Sequence, residues 1–436
     1  MEKKVEKKGF FASLGKRKLG VVLNLFYAYM SLGLVLIMLG AILPDLKTDY
    51  ALSYQVGGAL LSVQSVGYVL AGLLAGYLPL LLGIKVSYIL IQLSVTLGFI
   101  MLLISGNPVW LLAAMLLIGI GKGGITNYNN LLMNIYSRGN AGPLNILHAC
   151  FAAGAVIAPL IVLAVSGWRM AVIIGCICCA ASLVFLVLAG FSDKDLETAE
   201  DSRDPVKTGR NQKSADPAKA AAADAGAEKA GSAKGDSRKK KVDYGFFREV
   251  LFWVTVAICF FYQAVEASFM GWMTSFLIDT GAMQASLAQF TTSVLWMALM
   301  AGRLLCSLAA KKFRPGHMIL ALTLITTVFM VLLLQSSSPA GLLIATAGIG
   351  LGMSGMFGTS VSNAGDIFSR YPVCMGFFVF LTSMGAIVAP AVVGTVANTA
   401  GMHTGMSTLL LFAACMVAAA ILNLFFQSLF FQGPFL

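Results

Sequence analysis

Two ionisable side chains stand where the surrounding sequence leaves them no adjacent partner. Glu266 interrupts the apolar run from 250 to 279, and Lys122 interrupts the run from 108 to 133. Each falls near the middle of a segment long enough to cross a bilayer, where a charge costs about 2.5–3.5 kcal/mol on insertion scales. Such a group is expected to face water, a partner or a ligand. A carboxyl at that depth can take a proton from one side and release it to the other as its surroundings change between hydrated and dry; the alternative is a permanent ion pair or hydrogen bond that orients its helix. An ammonium can hold a carboxylate, a phosphate or hydroxyl groups. Lys122 is followed at four and seven residues by Thr126 and Asn129, which makes one helical stripe bordered by Asn130. That stripe suits an anionic or polyhydroxylated small molecule, with pairing to Glu266 or snorkelling as the other uses of Lys122.

Further polar residues extend this set. Asn145 and His148 share a helix face, and Tyr262 and Gln263 lie one turn before Glu266, with Trp272 further along. All five are candidates to line a cavity. An isolated intramembrane histidine is also a common packing donor, and aromatic rings also contact lipid. Arg303 and Asp366 fall near the ends of their apolar runs, where gating or loop anchoring is the expected role.

The elements that position these residues follow from composition. Of 436 residues, 58% are hydrophobic and 11% are charged, with a mean hydropathy of +0.85. This is an all-α integral membrane composition and excludes a soluble enzyme. Apolar runs predict six helices near 20–43, 53–78, 84–105, 108–133, 143–166 and 170–190. Six more are predicted near 250–279, 285–310, 317–336, 339–362, 373–397 and 404–431. These runs exceed barrel-strand length and lack two-residue alternation, which leaves the helix as the spanning solution.

The chain divides into a basic tail (1–19), a six-helix bundle (20–191), a linker (192–248), a second bundle (249–431) and a tail (432–436). The linker is rich in Ala, Lys, Asp, Gly and Ser and is expected to be disordered and cytoplasmic. The run Leu429 to Pro434 is similar to a viral protease recognition site and reads as a possible expression scar. The first span is too long for a secretory signal and is expected to remain. Basic residues before the first helix and at Lys311, Lys312 and Arg314 place both termini in the cytoplasm of a multi-pass cell-membrane protein. The net charge of +11 is then largely a topology signal, so lipid headgroups are expected partners and nucleic acid is not. The eight cysteines lie in apolar segments without metal-ligand spacing, and no metal or cofactor is expected. Gly119 to Gly124 contains Gly-Lys but lacks the spacing of a phosphate loop.

The halves repeat. Gly119-Ile120-Gly121 recurs as Gly348-Ile349-Gly350, Ala71-Gly72 as Ala301-Gly302, and Gly154-Ala155-Val156-Ile157-Ala158-Pro159 as Gly385-Ala386-Ile387-Val388-Ala389-Pro390, at offsets of 229, 230 and 231. Two six-helix bundles in the same orientation imply a pseudo-twofold along the membrane normal and a central cavity between them, the architecture of secondary transporters. At the repeat offsets Glu266 and Lys122 correspond to Val35 and Leu351, so repeat symmetry demands neither charge.

At this point the chain resembles the major facilitator superfamily, and within it the fucose and glucose:proton symporter family. The resemblance rests on Leu144-Asn145-Ile146-Leu147-His148 with Gly154, Ala155 and Pro159; on Tyr262, Glu266, Gly271 and Trp272; and on Gly302-Arg303 with Phe313 and Pro315. Gly76, Gly83 and Lys85 are similar to the superfamily loop after the second helix, but Leu80 stands where an aspartate is usual, and Thr126 stands where relatives often carry an acid. The resemblance implies alternating-access transport of a small sugar-like solute by one copy of the chain, driven by protons through Glu266. Lys122 keeps an organic-anion carrier or exchanger open as the alternative. A lipid translocase or a non-transporting sensor is the alternative of another class.

Overall fold

A computed structural model describes residues 14–137, 141–165, 167–188, 243–371 and 373–430. Most of the basic tail, most of the linker and the last six residues lie outside the described residues, and so do the expectations made for them.

The first half contains α1 (Lys16–Asp49), α2 (Tyr54–Ile104), α3 (Pro108–Ser137), α4 (Ala141–Ala164) and α5 (Trp168–Leu188). A 3₁₀ turn (Gly245–Arg248) precedes the second half: α6 (Val250–Asp279), α7 (Ala285–Ala309), α8 (Pro315–Gln335), α9 (Pro339–Met353), α10 (Met356–Asn363), α11 (Gly365–Arg370), α12 (Cys374–Ala400) and α13 (Met402–Phe430).

Two departures from the expected spans have local causes. The second and third spans form one 51-residue element, α2. A straight helix of that length would run about 75 Å, more than twice the hydrocarbon thickness. The chain turns back at Gly83, whose φ of 76° and ψ of 161° leave the helical region and favour a residue without a Cβ. The tenth span is interrupted after Met353, where the Ser354 hydroxyl donates to the Leu351 carbonyl at 2.7 Å and competes with the helical ladder. With α2 counted as two crossings and α9–α10 as one, the described residues cross twelve times, six per half.

Each half builds its own core. One buried cluster runs from Val21 to Leu186 and draws only on the first half. The largest one in the second half runs from Val254 to Ala420 and takes only Leu43 and Leu61 from the first, while a small cluster of Ala155, Trp296 and Leu299 joins the halves. The repeat seen in sequence is also a repeat of packing. A Cβ on Gly154 would lie 2.0 Å from the Met30 carbonyl oxygen, and one on Gly385 would lie 2.0 Å from that of Phe260. Met30 and Phe260 are themselves separated by one repeat, so α1 meets α4 as α6 meets α12. Because the obstacle is backbone, neither helix can yield by a rotamer change. Gly154→Val is expected to cost at least about 1–3 kcal/mol, the range for overpacking. Thermal unfolding of the purified protein tests this against Gly72→Ala, where the added carbon meets open space.

Candidate functional site

Between the halves lies a cavity of about 1880 Å³. Its lining includes Gly76, Gly83 and Ile84 at the turn within α2, Asn134 near the end of α3, Asp366 on α11 and Gly376 near the start of α12. These positions share the side on which α1 begins and α13 ends, so the cavity opens toward the terminal side. It narrows toward the opposite, far side.

The far side is closed by contacts between the halves. Lys47 Nζ donates to Asp279 Oδ2 at 3.1 Å, and the Tyr54 hydroxyl donates to the same oxygen at 2.7 Å. Lys47 Nζ also sits 3.3 Å from the centre of the Tyr54 ring. Deeper in the seal, Gln289 Nε2 donates to the Ala41 carbonyl at 2.7 Å and the Ser293 hydroxyl to that of Val156 at 2.9 Å.

Eight of the residues singled out by sequence line the cavity: Lys122, Thr126, His148, Tyr262, Gln263, Glu266, Arg303 and Asp366. Glu266 and Lys122 lie near the midpoints of α6 and α3, on opposite walls. The Tyr262 hydroxyl donates to Glu266 Oε1 at 2.7 Å, one helical turn away, which fixes the carboxylate against its own helix. Gln263 Nε2 donates to Thr382 Oγ1 on α12 at 3.1 Å. His148 packs edge-on to Tyr29, with ring centres 5.5 Å apart. Thr126 turns its hydroxyl back to the Lys122 carbonyl at 2.8 Å, within the cavity lining. Among the described residues Lys122 has no carboxylate within ion-pair distance, and its ammonium lies 5.3 Å from the centre of the Tyr68 ring. Arg303 is exposed to the cavity and acts electrostatically on Glu266, as Lys122 does across the gap.

The other four do not line it. Asn129 is fully buried, accepts from the Tyr88 hydroxyl and donates to the Leu25 carbonyl at 3.4 Å. An ideal helix puts it only about 20° from Lys122. The cavity-facing strip, however, drifts around α3 from Lys122 and Thr126 to Asn127, Leu131 and Asn134, which turns Asn129 toward α1 and α2. Asn130 is half-buried with a buried amide oxygen lacking a protein partner. Asn145 is exposed but lies about 60° around α4 from His148, off the cavity lining. Trp272 is fully buried, and its indole donates to the Pro390 carbonyl at 3.1 Å. It sits 6.1 Å from the Tyr54 ring and so belongs to the far-side seal.

Polar lining residues outside the sequence candidates include Gln64 and Tyr68 on α2 and Asn127 and Asn134 on α3. Gln64 and Tyr68 are four apart inside an apolar run, a stripe of the same kind as Lys122 and Thr126.

The sequence profile of the Major Facilitator Superfamily matches residues 25–390. The chain belongs to that superfamily. Its members among the relatives are transporters, and the chain is a multi-pass membrane transporter rather than an enzyme. It is 22% identical over 398 residues to a glucose/mannose transporter of Bacillus subtilis (strain 168), covering 88% of this chain and 90% of the relative. It is 24% identical over 389 residues to the human sodium-dependent glucose transporter 1, covering 84% of this chain and 71% of the relative. The superfamily fold is shared with an inward-facing, occupied structure of a bacterial homolog of the human lysosomal transporter Spinster. That match has a TM-score of 0.71 at 14% identity, over 92% of this chain and 96% of that one.

Proposed function

We propose that the chain is a proton-coupled secondary transporter of a small sugar-like solute, with Glu266 as the coupling carboxyl. The observation that carries this reading is the cavity itself. It is walled by both halves, open on one side and sealed on the other, and it holds Glu266 at mid-depth beside Tyr262. A group that meets water from alternate sides is what coupling requires, and the hydroxyl, amide and aromatic lining suits a polyhydroxylated solute. The two glucose-transporting relatives support the solute class.

With both termini in the cytoplasm, the terminal side is the inside, and this conformation is inward-open. The basic residues Lys16, Arg17, Lys18, Lys311, Lys312 and Arg314 favour that orientation.

A solute screen by thermal unfolding, followed by counterflow in proteoliposomes, tests the reading. A ligand present at about a hundred times its Kd raises apparent stability by about 2.7 kcal/mol, well within detection. Sugars or sugar-like solutes are expected to shift unfolding and to exchange across the membrane. Failure of the whole class in both assays, with folded protein confirmed, removes the proposal.

A further inference from the structure

Two cations and two carboxylates line the cavity, but among the described residues they do not pair directly. Lys122 lies near the middle of α3 and Glu266 near the middle of α6, while Arg303 lies on α7 toward the terminal side. The remaining lining acid, Asp366, lies on α11 at the open end. Glu266 is already engaged by the Tyr262 hydroxyl. Among the described residues, no hydrogen bond or ion pair joins Lys122 or Arg303 to a carboxylate.

The rest of the protein treats its charges differently. Lys47 pairs with Asp279, Arg169 with Asp49, and Arg370 with Glu249. Ion pairs are thus made at the ends of the helices, where water would have solvated either partner alone. The two cations that line the cavity share the field of Glu266 and form no direct ion pair among the described residues. They come from opposite halves and line the same cavity, so both would attract an anionic group bound there.

We infer that the solute is a monoanionic, polyhydroxylated carboxylate, a sugar acid whose carboxylate is held between Lys122 and Arg303. This rests on the transport reading above and narrows its solute. An electroneutral cycle with one proton takes a monoanion. Binding a proton on Glu266 together with one monoanion leaves the net charge of the site unchanged, so the loaded and empty carriers cross with the same charge. A neutral sugar carried with a proton would add one charge to the loaded form, and a dianion would remove one. Proton–monoanion symport is therefore electroneutral, with the proton moving onto Glu266 from one side and off to the other and no bond made or broken in the solute. The amides of Gln64 and Asn127 line the same cavity and can meet the solute hydroxyls.

Uptake into proteoliposomes measures this directly. Glucose, galactose and mannose are presented beside their C1 and C6 carboxylates, under an imposed pH gradient and, separately, under a potassium–valinomycin potential. The expected result is uptake of at least one acid about tenfold or more above its parent sugar. That uptake follows the pH gradient and does not respond to the potential. Lys122→Gln and Arg303→Gln are each expected to weaken apparent affinity for the acid about tenfold or more, and Lys122→Arg is expected to retain part of it. Should a neutral sugar be carried and its acids refused, or should uptake of the acid follow the potential, the inference is overturned while sugar transport stands. Should folded wild-type protein move neither class, the transport reading fails with it.

Discussion

Glu266→Gln is expected to abolish uphill accumulation while leaving exchange intact. In proteoliposomes a gradient of one pH unit stores about 1.4 kcal/mol per proton and can drive about tenfold accumulation with one coupled proton. Wild-type protein should approach that ratio, and the variant should stop at equal concentrations inside and out. Counterflow, which needs no proton movement, should stay within several-fold of wild type. The reason is geometric. Glutamine has nearly the same shape as glutamate, and its amide oxygen can still accept from the Tyr262 hydroxyl that now meets Glu266 Oε1 at 2.7 Å. Helix α6 therefore keeps its orientation, and the cavity keeps its wall. What disappears is the ability to exist with and without a proton. If the carboxylate merely oriented α6, glutamine would serve as well, and accumulation would continue at the wild-type ratio. That outcome would remove Glu266 from the mechanism without removing the transporter.

Much of this arrangement was legible in sequence because membrane physics leaves few solutions. Apolar length marked the crossings, and the motif ending in Pro159 and Pro390 marked the repeat. The packing of Gly154 on Met30 and Gly385 on Phe260 gives that repeat its physical meaning. The charges at 122 and 266 stood out for the same reason, since hydrocarbon makes each one conspicuous. What periodicity could not supply was the rotation of each helix about its own axis. Asn129 lies on the Lys122 stripe of an ideal helix, yet the cavity-facing strip drifts around α3 and leaves Asn129 against Tyr88. Trp272 belongs to the same α6 as Glu266 but stands beside Tyr54, above the cavity rather than in it. Gln64 and Tyr68 carried a readable signal, the same four-residue spacing, but as uncharged residues they are cheaper to bury and less conspicuous. The pairing of Lys47 with Asp279 had no local signal, because it joins residues 232 apart that meet only when the halves dock.

That pairing leads to the second large effect: Asp279→Asn is expected to shift the protein toward a conformation open on the far side. Asp279 Oδ2 accepts from both Lys47 and Tyr54, so one carboxylate of the second half holds two residues of the first. The side chains of Lys47 and Asp279 are 11% and 23% exposed, intermediate between a solvated surface pair and a sealed one. Surface pairs contribute about 0–1 kcal/mol, and hydrogen bonds to charged groups about 1.5–3 kcal/mol, so about 1–2 kcal/mol is a reasonable value here. With about 1.4 kcal/mol per factor of ten, the ratio of far-side-open to terminal-side-open molecules should rise about five- to thirtyfold. Asparagine preserves the shape and can still accept from Tyr54, so the change isolates the charge. Spin labels at the exposed Ala51 and Gln284, in a background freed of native cysteines, report the separation of the two halves on that side. The longer-distance population should grow in Asp279→Asn and in Lys47→Gln. It should also grow in wild type as salt is raised, because a partly exposed pair is screened. The exchange Lys47→Asp with Asp279→Lys should return the distribution toward wild type if attraction between the halves holds the seal. An unchanged distribution in both single variants would instead assign closure to Gln289, Ser293 and the packing around Trp272, with the ion pair a consequence of closure rather than its cause.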